Sequence, residues 1–147
     1  MDSRFLSYYI ALLKNSPPED RPGVLRAIGS FGSDAASAVT LLSNALSDES
    51  PEVRGASAGS LAQIGAPAAA AAPALAKLLT DSAPRVRSIA AVALRNMGAS
   101  SAPALPQLVA ALNDPVDYVR AAAADAIGAI GPAARAAVPA LIQRLSA

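Results

Sequence analysis

The apolar positions of this chain keep a single beat. Phe31, Ile64, Met97 and Ile130 stand 33 residues apart, each followed by a glycine: Gly32, Gly65, Gly98 and Gly131. A fixed period of this length marks stacked helical hairpins, and here the register never slips. Ile28, Leu61, Leu94 and Ile127 repeat three positions before the first set, and Val53, Val86 and Val119 form an earlier column. Beyond each glycine come Leu42, Leu75, Leu108 and Leu141, then Leu46, Leu79, Leu112 and Leu145 four residues on. Spacings of three and four keep side chains on one helical face. Every unit therefore predicts two amphipathic helices, A before the glycine and B after it.

Start and stop signals frame these helices. Ser16-Pro17-Pro18-Glu19 has the spacing of a capping box, and Ser50-Pro51 and Asp114-Pro115 put proline at the first position of an A helix. The glycine closes helix A, because the residue past a helix end often needs a positive φ that glycine adopts cheaply. Pro73, Pro106 and Pro139 share one column of B, held by Thr40 in the first unit. A mid-helix proline costs about 3 kcal/mol, so each B segment is expected to make one turn, break, and restart with proline near its start. Before residue 15 there is room for a lone B helix, 2–14, whose Tyr9 and Leu13 fall on the leucine columns. The expected architecture is all-α: a right-handed α-solenoid of about four helix pairs, units 16–47, 50–80, 83–113 and 115–146, preceded by that extra helix in one domain, 1–147.

Composition then narrows the function. Apolar residues make up 53% of the chain, enough to bury a core, so disorder is not expected. The 12 basic and 11 acidic residues leave a net charge of +1, too little to draw nucleic acid or an anionic membrane from a distance. With no histidine and no cysteine, imidazole catalysis, thiolate chemistry and Cys/His zinc sites all drop out. Neither an enzyme nor a cofactor is expected. Missing cysteines fit a reducing compartment, hence the cytoplasm. The stretch from Ala66 to Leu79 is cut by Pro67, Pro73 and Lys77 and is too short to span a membrane. Phe5 to Leu13 has the apolar character of a leader core, but only Arg4 precedes it and Lys14-Asn15-Ser16-Pro17 is a poor cleavage context, so no leader is expected.

Several residue runs carry a family likeness over nearly the whole chain. They are Asp81-Ser82-Ala83-Pro84-Arg85-Val86-Arg87, Ala126-Ile127-Gly128-Ala129-Ile130-Gly131-Pro132 and Ala137-Val138-Pro139-Ala140-Leu141. They resemble HEAT repeats, especially the short bacterial type similar to those of phycobilisome lyases. Ankyrin and tetratricopeptide signatures are missing. The resemblance implies that the aspartate and arginine six residues apart in each unit, Asp48/Arg54, Asp81/Arg87 and Asp114/Arg120, form a structural ladder of hydrogen bonds between neighbouring units. Asn15/Arg21 departs from that pattern. It also implies a solenoid that binds proteins, assists pigment attachment as lyase subunits do or, in some branches, binds DNA.

The leading expectation is a scaffold that binds a protein or peptide. The B-helix positions between the leucine columns include Leu41, Asn44, Lys77, Gln107 and Gln143, a nearly neutral face that suits a protein better than nucleic acid. Asp48, Glu49 and Glu52 read as helix-start acids rather than a cation site. In the first helix Phe5, Tyr8 and Leu12 form a second apolar stripe beside the core columns. Two readings stand side by side: the stripe caps the array by tucking against the first A helix, or it contacts a partner or a second copy. The other end reads as finished, with Gln143 and Arg144 giving the last helix a polar outer side.

Overall fold

The computed structural model describes residues 2–146, the side chains of residues 141 and 144–146 excepted. It contains nine α-helices among the described residues: α1 (Ser3–Asn15), α2 (Arg21–Gly29), α3 (Val39–Ala45), α4 (Pro51–Ile64), α5 (Ala72–Leu78), α6 (Pro84–Met97), α7 (Leu105–Ala111), α8 (Asp117–Ile130) and α9 (Pro132–Ser146). The A helices α2, α4, α6 and α8 pack side by side in chain order. The B helices form a second row in which α5 lies against α7 and α7 against α9, with α1 set against α2 at the head of the array. The fold is an all-α solenoid.

The periodic columns fill the space between the rows. Leu25, Ile28, Leu42, Leu61, Leu75, Leu94 and Leu108 are all fully buried. Each such burial contributes about 1.5–3 kcal/mol. Tyr9 packs edge-on against Phe31 at 6.3 Å between ring centroids, fastening α1 to the end of α2.

Between the glycine and helix B lies a 3-10 turn in three units: Gly32–Ala38, Ala66–Ala71 and Gly98–Ala104. Residues three apart eclipse in a 3-10 helix, and the pairs Ala35/Ala38, Ala68/Ala71 and Ser101/Ala104 are the buried ones. Small residues are needed there because successive turns touch. Pro73 and Pro106 then stand in the first two positions of α5 and α7, where a missing N–H breaks no helical bond. Gly65 and Gly98, at φ +74° and +60° with ψ near −139° and −134°, occupy backbone that a residue with a Cβ adopts only under strain.

Three boundaries differ from the sequence expectation. Ser16 does not cap α2; its hydroxyl donates to the Leu12 carbonyl at 2.7 Å and closes α1, while α2 starts only at Arg21, after a turn through the two prolines. Pro115 is not the first residue of α8, which begins at Asp117, in the column of Pro51 and Pro84. The cause is the preceding aspartate: Asp48, Asp81 and Asp114 each accept the backbone N–H two residues on, at 2.9 Å, and helix starts on the third residue. Finally, α9 runs unbroken through Pro139. In the other units the 3-10 turns of neighbours pack on each other; among the described residues no later turn constrains the segment after Gly131.

Candidate interaction surface

The charged columns assemble along the start of the A helices. In Arg54, Nη1 donates to the backbone carbonyl of Asp48 in its own unit at 2.9 Å, and Nε and Nη2 grip the carboxylate of Asp81 in the next unit at 2.7 and 3.1 Å. Arg87 repeats this: 2.8 Å to the Asp81 carbonyl, 2.8 and 3.1 Å to the Asp114 carboxylate. Each arginine thus uses its own unit's aspartate through the main chain and the following unit's through the side chain. Burial raises the Asp81 pKa, but the Arg54 guanidinium and the Ala83 N–H outweigh it and hold the carboxyl below its ordinary value. For Asp114 the Arg87 fork is the main cause of a similar depression, against burial. Arg87 is raised in turn, chiefly by Asp114.

At the head of the array the pattern loosens. Arg21 reaches Asp48 with one nitrogen at 3.4 Å and donates Nε to the Ser16 carbonyl, while Asn15 turns back to the Ala11 carbonyl. Beside this weak rung a cavity of about 230 Å³ opens between α1, α2 and α3, with Leu13, Arg21, Leu41, Asn44 and Asp48 on its walls. Of the B-face positions singled out in the sequence, it brings together Leu41 and Asn44. Lys77, Gln107 and Gln143 lie exposed on α5, α7 and α9, outside it. Glu52 accepts the Ser50 hydroxyl at 2.8 Å, a helix-start contact.

The second stripe of α1 faces away from the array. Leu6 is the buried residue of that helix, with Tyr9, Ile10 and Leu13 packed against the core, whereas Phe5 and Tyr8 are each 60% exposed and Leu12 is 37% exposed. The stripe is not tucked against α2.

The far end is more open than its sequence suggests. Arg144 lies outside the described side chains, and Gln143 is exposed as expected, yet Tyr118 and Ile142 are exposed too. Between α8 and α9 runs an apolar groove of about 380 Å³, lined among others by Ile127, Ala134, Val138 and Pro139. Ile127 belongs to the column of Ile28, Leu61 and Leu94, which are 0% exposed, but here it is only half-buried. Sequence reasoning missed this groove because column membership shows what a residue can bury, not whether a neighbour covers it.

Two rows of antiparallel helices stacked by a constant step define a helical-repeat solenoid. The family profile for HEAT repeats matches residues 7–95 and 72–147, and the chain belongs to that family. Among solved structures it is similar to a designed armadillo repeat protein in complex with the peptide (KR)4, at 21% identity and a TM-score of 0.77 over 97% of this chain and 74% of that one. An engineered protein gives 24% identity and a TM-score of 0.77 over 96% and 68%. The complex of CpcE and CpcF of phycocyanin lyase from Nostoc sp. PCC7120 gives 21% and 0.68 over 98% and 89%. These likenesses concern the fold. No curated protein matches the chain. Among the described residues no helix is long and apolar enough to cross a membrane.

Proposed function

We propose that this chain is a non-catalytic scaffold that binds another protein or a peptide through α1, the B-helix face, or both. The observation that supports it most is the α1 stripe: two aromatic rings and a leucine held out to solvent on a helix whose other side already serves the core. Aromatic side chains on a rigid support are favoured anchors, since burying them gains much area at little entropic cost. The lining of the α1–α3 cavity, apolar with one arginine and one aspartate, suits a protruding side chain better than a reactive small molecule. A chain without cysteine suits the cytoplasm. An accessory role like that of phycobilin lyase subunits is the second reading. It rests on fold likeness, and the absence of histidine, cysteine and tryptophan leaves it few groups for chromophore chemistry.

The test is affinity capture with the full chain beside the double variant Phe5→Ser, Tyr8→Ser. Because both side chains are outside the core, helical content and melting temperature should hardly move, while the captured partner should be lost. A variant that melts far earlier yet captures the same partner would show that the stripe serves stability instead.

A further inference from the structure

The ladder repeats one piece of geometry three times, and the third copy lacks its partner. Arg120 is anchored like Arg54 and Arg87: its Nη1 donates to the backbone carbonyl of Asp114 at 2.8 Å. In the two earlier copies that anchor leaves Nε and Nη2 as a fork closed on the next unit's carboxylate. Among the described residues nothing accepts from the fork of Arg120, and its side chain is exposed. A guanidinium held by one edge, with the other edge free, is pre-organised for two parallel charge-assisted bonds to a carboxylate.

The surroundings copy an internal junction as well. Inside the array, the outward flank of α4 is covered by Val86 and Ile89 of α6, which lie beside Gly55. The corresponding flank of α8 is uncovered: Ala121, Gly128 and Ala129 are exposed, and the groove of Ile127 and Val138 opens next to them. Tyr118 stands half exposed two residues before the fork.

We propose that this end docks a helical-repeat unit of another chain, one that carries an aspartate three residues before its first helix. Arg120 takes the aspartate's carboxylate, and the α8 flank and groove take the apolar side of the helix. Charge complementarity selects the occupant, because the two carboxylates gripped by such forks inside this molecule both come from that kind of turn. A second copy stacked in register does not fit. Its α1 occupies the same place in the repeat as α9, so the two helices would collide, and the ladder column before its α2 holds Asn15 instead of aspartate. The inference is independent of the α1 stripe.

The probe is a synthetic peptide of residues 81–113, the unit that Arg54 and α4 hold within this chain. Titrated into the full-length protein and followed by nuclear magnetic resonance, it should shift the Arg120 side-chain signal and those of Gly128 and Ala129. Binding should weaken at least about tenfold with Arg120→Ala, or with a peptide carrying Asp81→Asn, the loss expected for a charged hydrogen-bonded partner. Arg120 is exposed, so its variant should keep the wild-type melt; Arg26→Ala, an exposed arginine elsewhere, should bind as wild type. No binding at about 1 mM, where association is worth only some 4 kcal/mol, overturns the proposal. So does binding indifferent to both substitutions. Shifts confined to Phe5, Tyr8 and Leu12 also overturn it, and would credit the α1 surface instead.

Discussion

At the scale of single residues, the closest approach between units is made by glycine and serine. A Cβ at Gly29 would come within 2.7 Å of the Ser60 Cα, so α2 and α4 touch backbone to backbone. The Ser60 hydroxyl lies 2.7 Å from the Leu25 carbonyl and 2.9 Å from that of Ala56, and its one proton serves one of them at a time. Ser57 likewise donates to the Leu42 carbonyl. Gly23 sits in the same helix as Gly29 with nothing within 4 Å of the site of a Cβ. Alanine should therefore act in opposite directions at these two positions. Gly23→Ala should stabilise by about 0.5–1 kcal/mol through helix propensity, and Gly29→Ala should destabilise by about 1–3 kcal/mol through overpacking. Thermal melts of the two variants check this, and shifts of the same sign would contradict the packing described.

At the scale of elements, the prolines offer a similar contrast. Pro73 starts α5 and costs nothing there, whereas Pro139 lies inside α9 and removes a bond from a continuous helix. Pro139→Ala should raise the melting temperature and slow amide exchange in α9, by up to about 3 kcal/mol of local stability, while Pro73→Ala should leave α5 unchanged. Equal responses would mean that α9 breaks at Pro139 after all. Helix pairing, core columns and helix-closing glycines were legible in the sequence because they repeat with a fixed step and each repeat confirms the last. The start of α8 was not, since proline at Pro115 outweighed the less conspicuous turn that Asp114 makes with the Val116 N–H. Nor was the burial of Ser57 and Ser60: a serine reads as a surface residue until a neighbouring carbonyl is placed against it. Of the candidate surface, the α1 stripe could be read from spacing alone. The groove at Ile127 and the open fork of Arg120 depend on what does not cover them, which no single unit encodes.

At the scale of the whole molecule, each unit meets only its neighbours, so the rungs bear on the cohesion of the entire array. The carboxyls of Asp81 and Asp114 are depressed in the folded state. Their contribution is complete above the unfolded value of about 3.9 and is lost as pH falls through the folded values. Acid should therefore loosen the junctions from α4 to α8. In a double variant with Asp81→Asn and Asp114→Asn, stability at neutral pH should fall, and the part of the acid transition below about pH 4 should flatten. Melts recorded from pH 7 to pH 2 check it; an unchanged acid limb would deny the rungs their role.

The unequal rungs also decide how the molecule answers a mechanical load. Two junctions are strapped by paired bonds at the start of the A helices, while the far ends of those helices, about 20 Å away for 14 residues, meet through alanine-lined turns. Bending should hinge on the strapped edge and open the other like the leaves of a book. The junction held by Arg21 and Asp48, a single contact of 3.4 Å, is the softest leaf. A tug on α1 would swing it and the first unit before the rest of the stack yields.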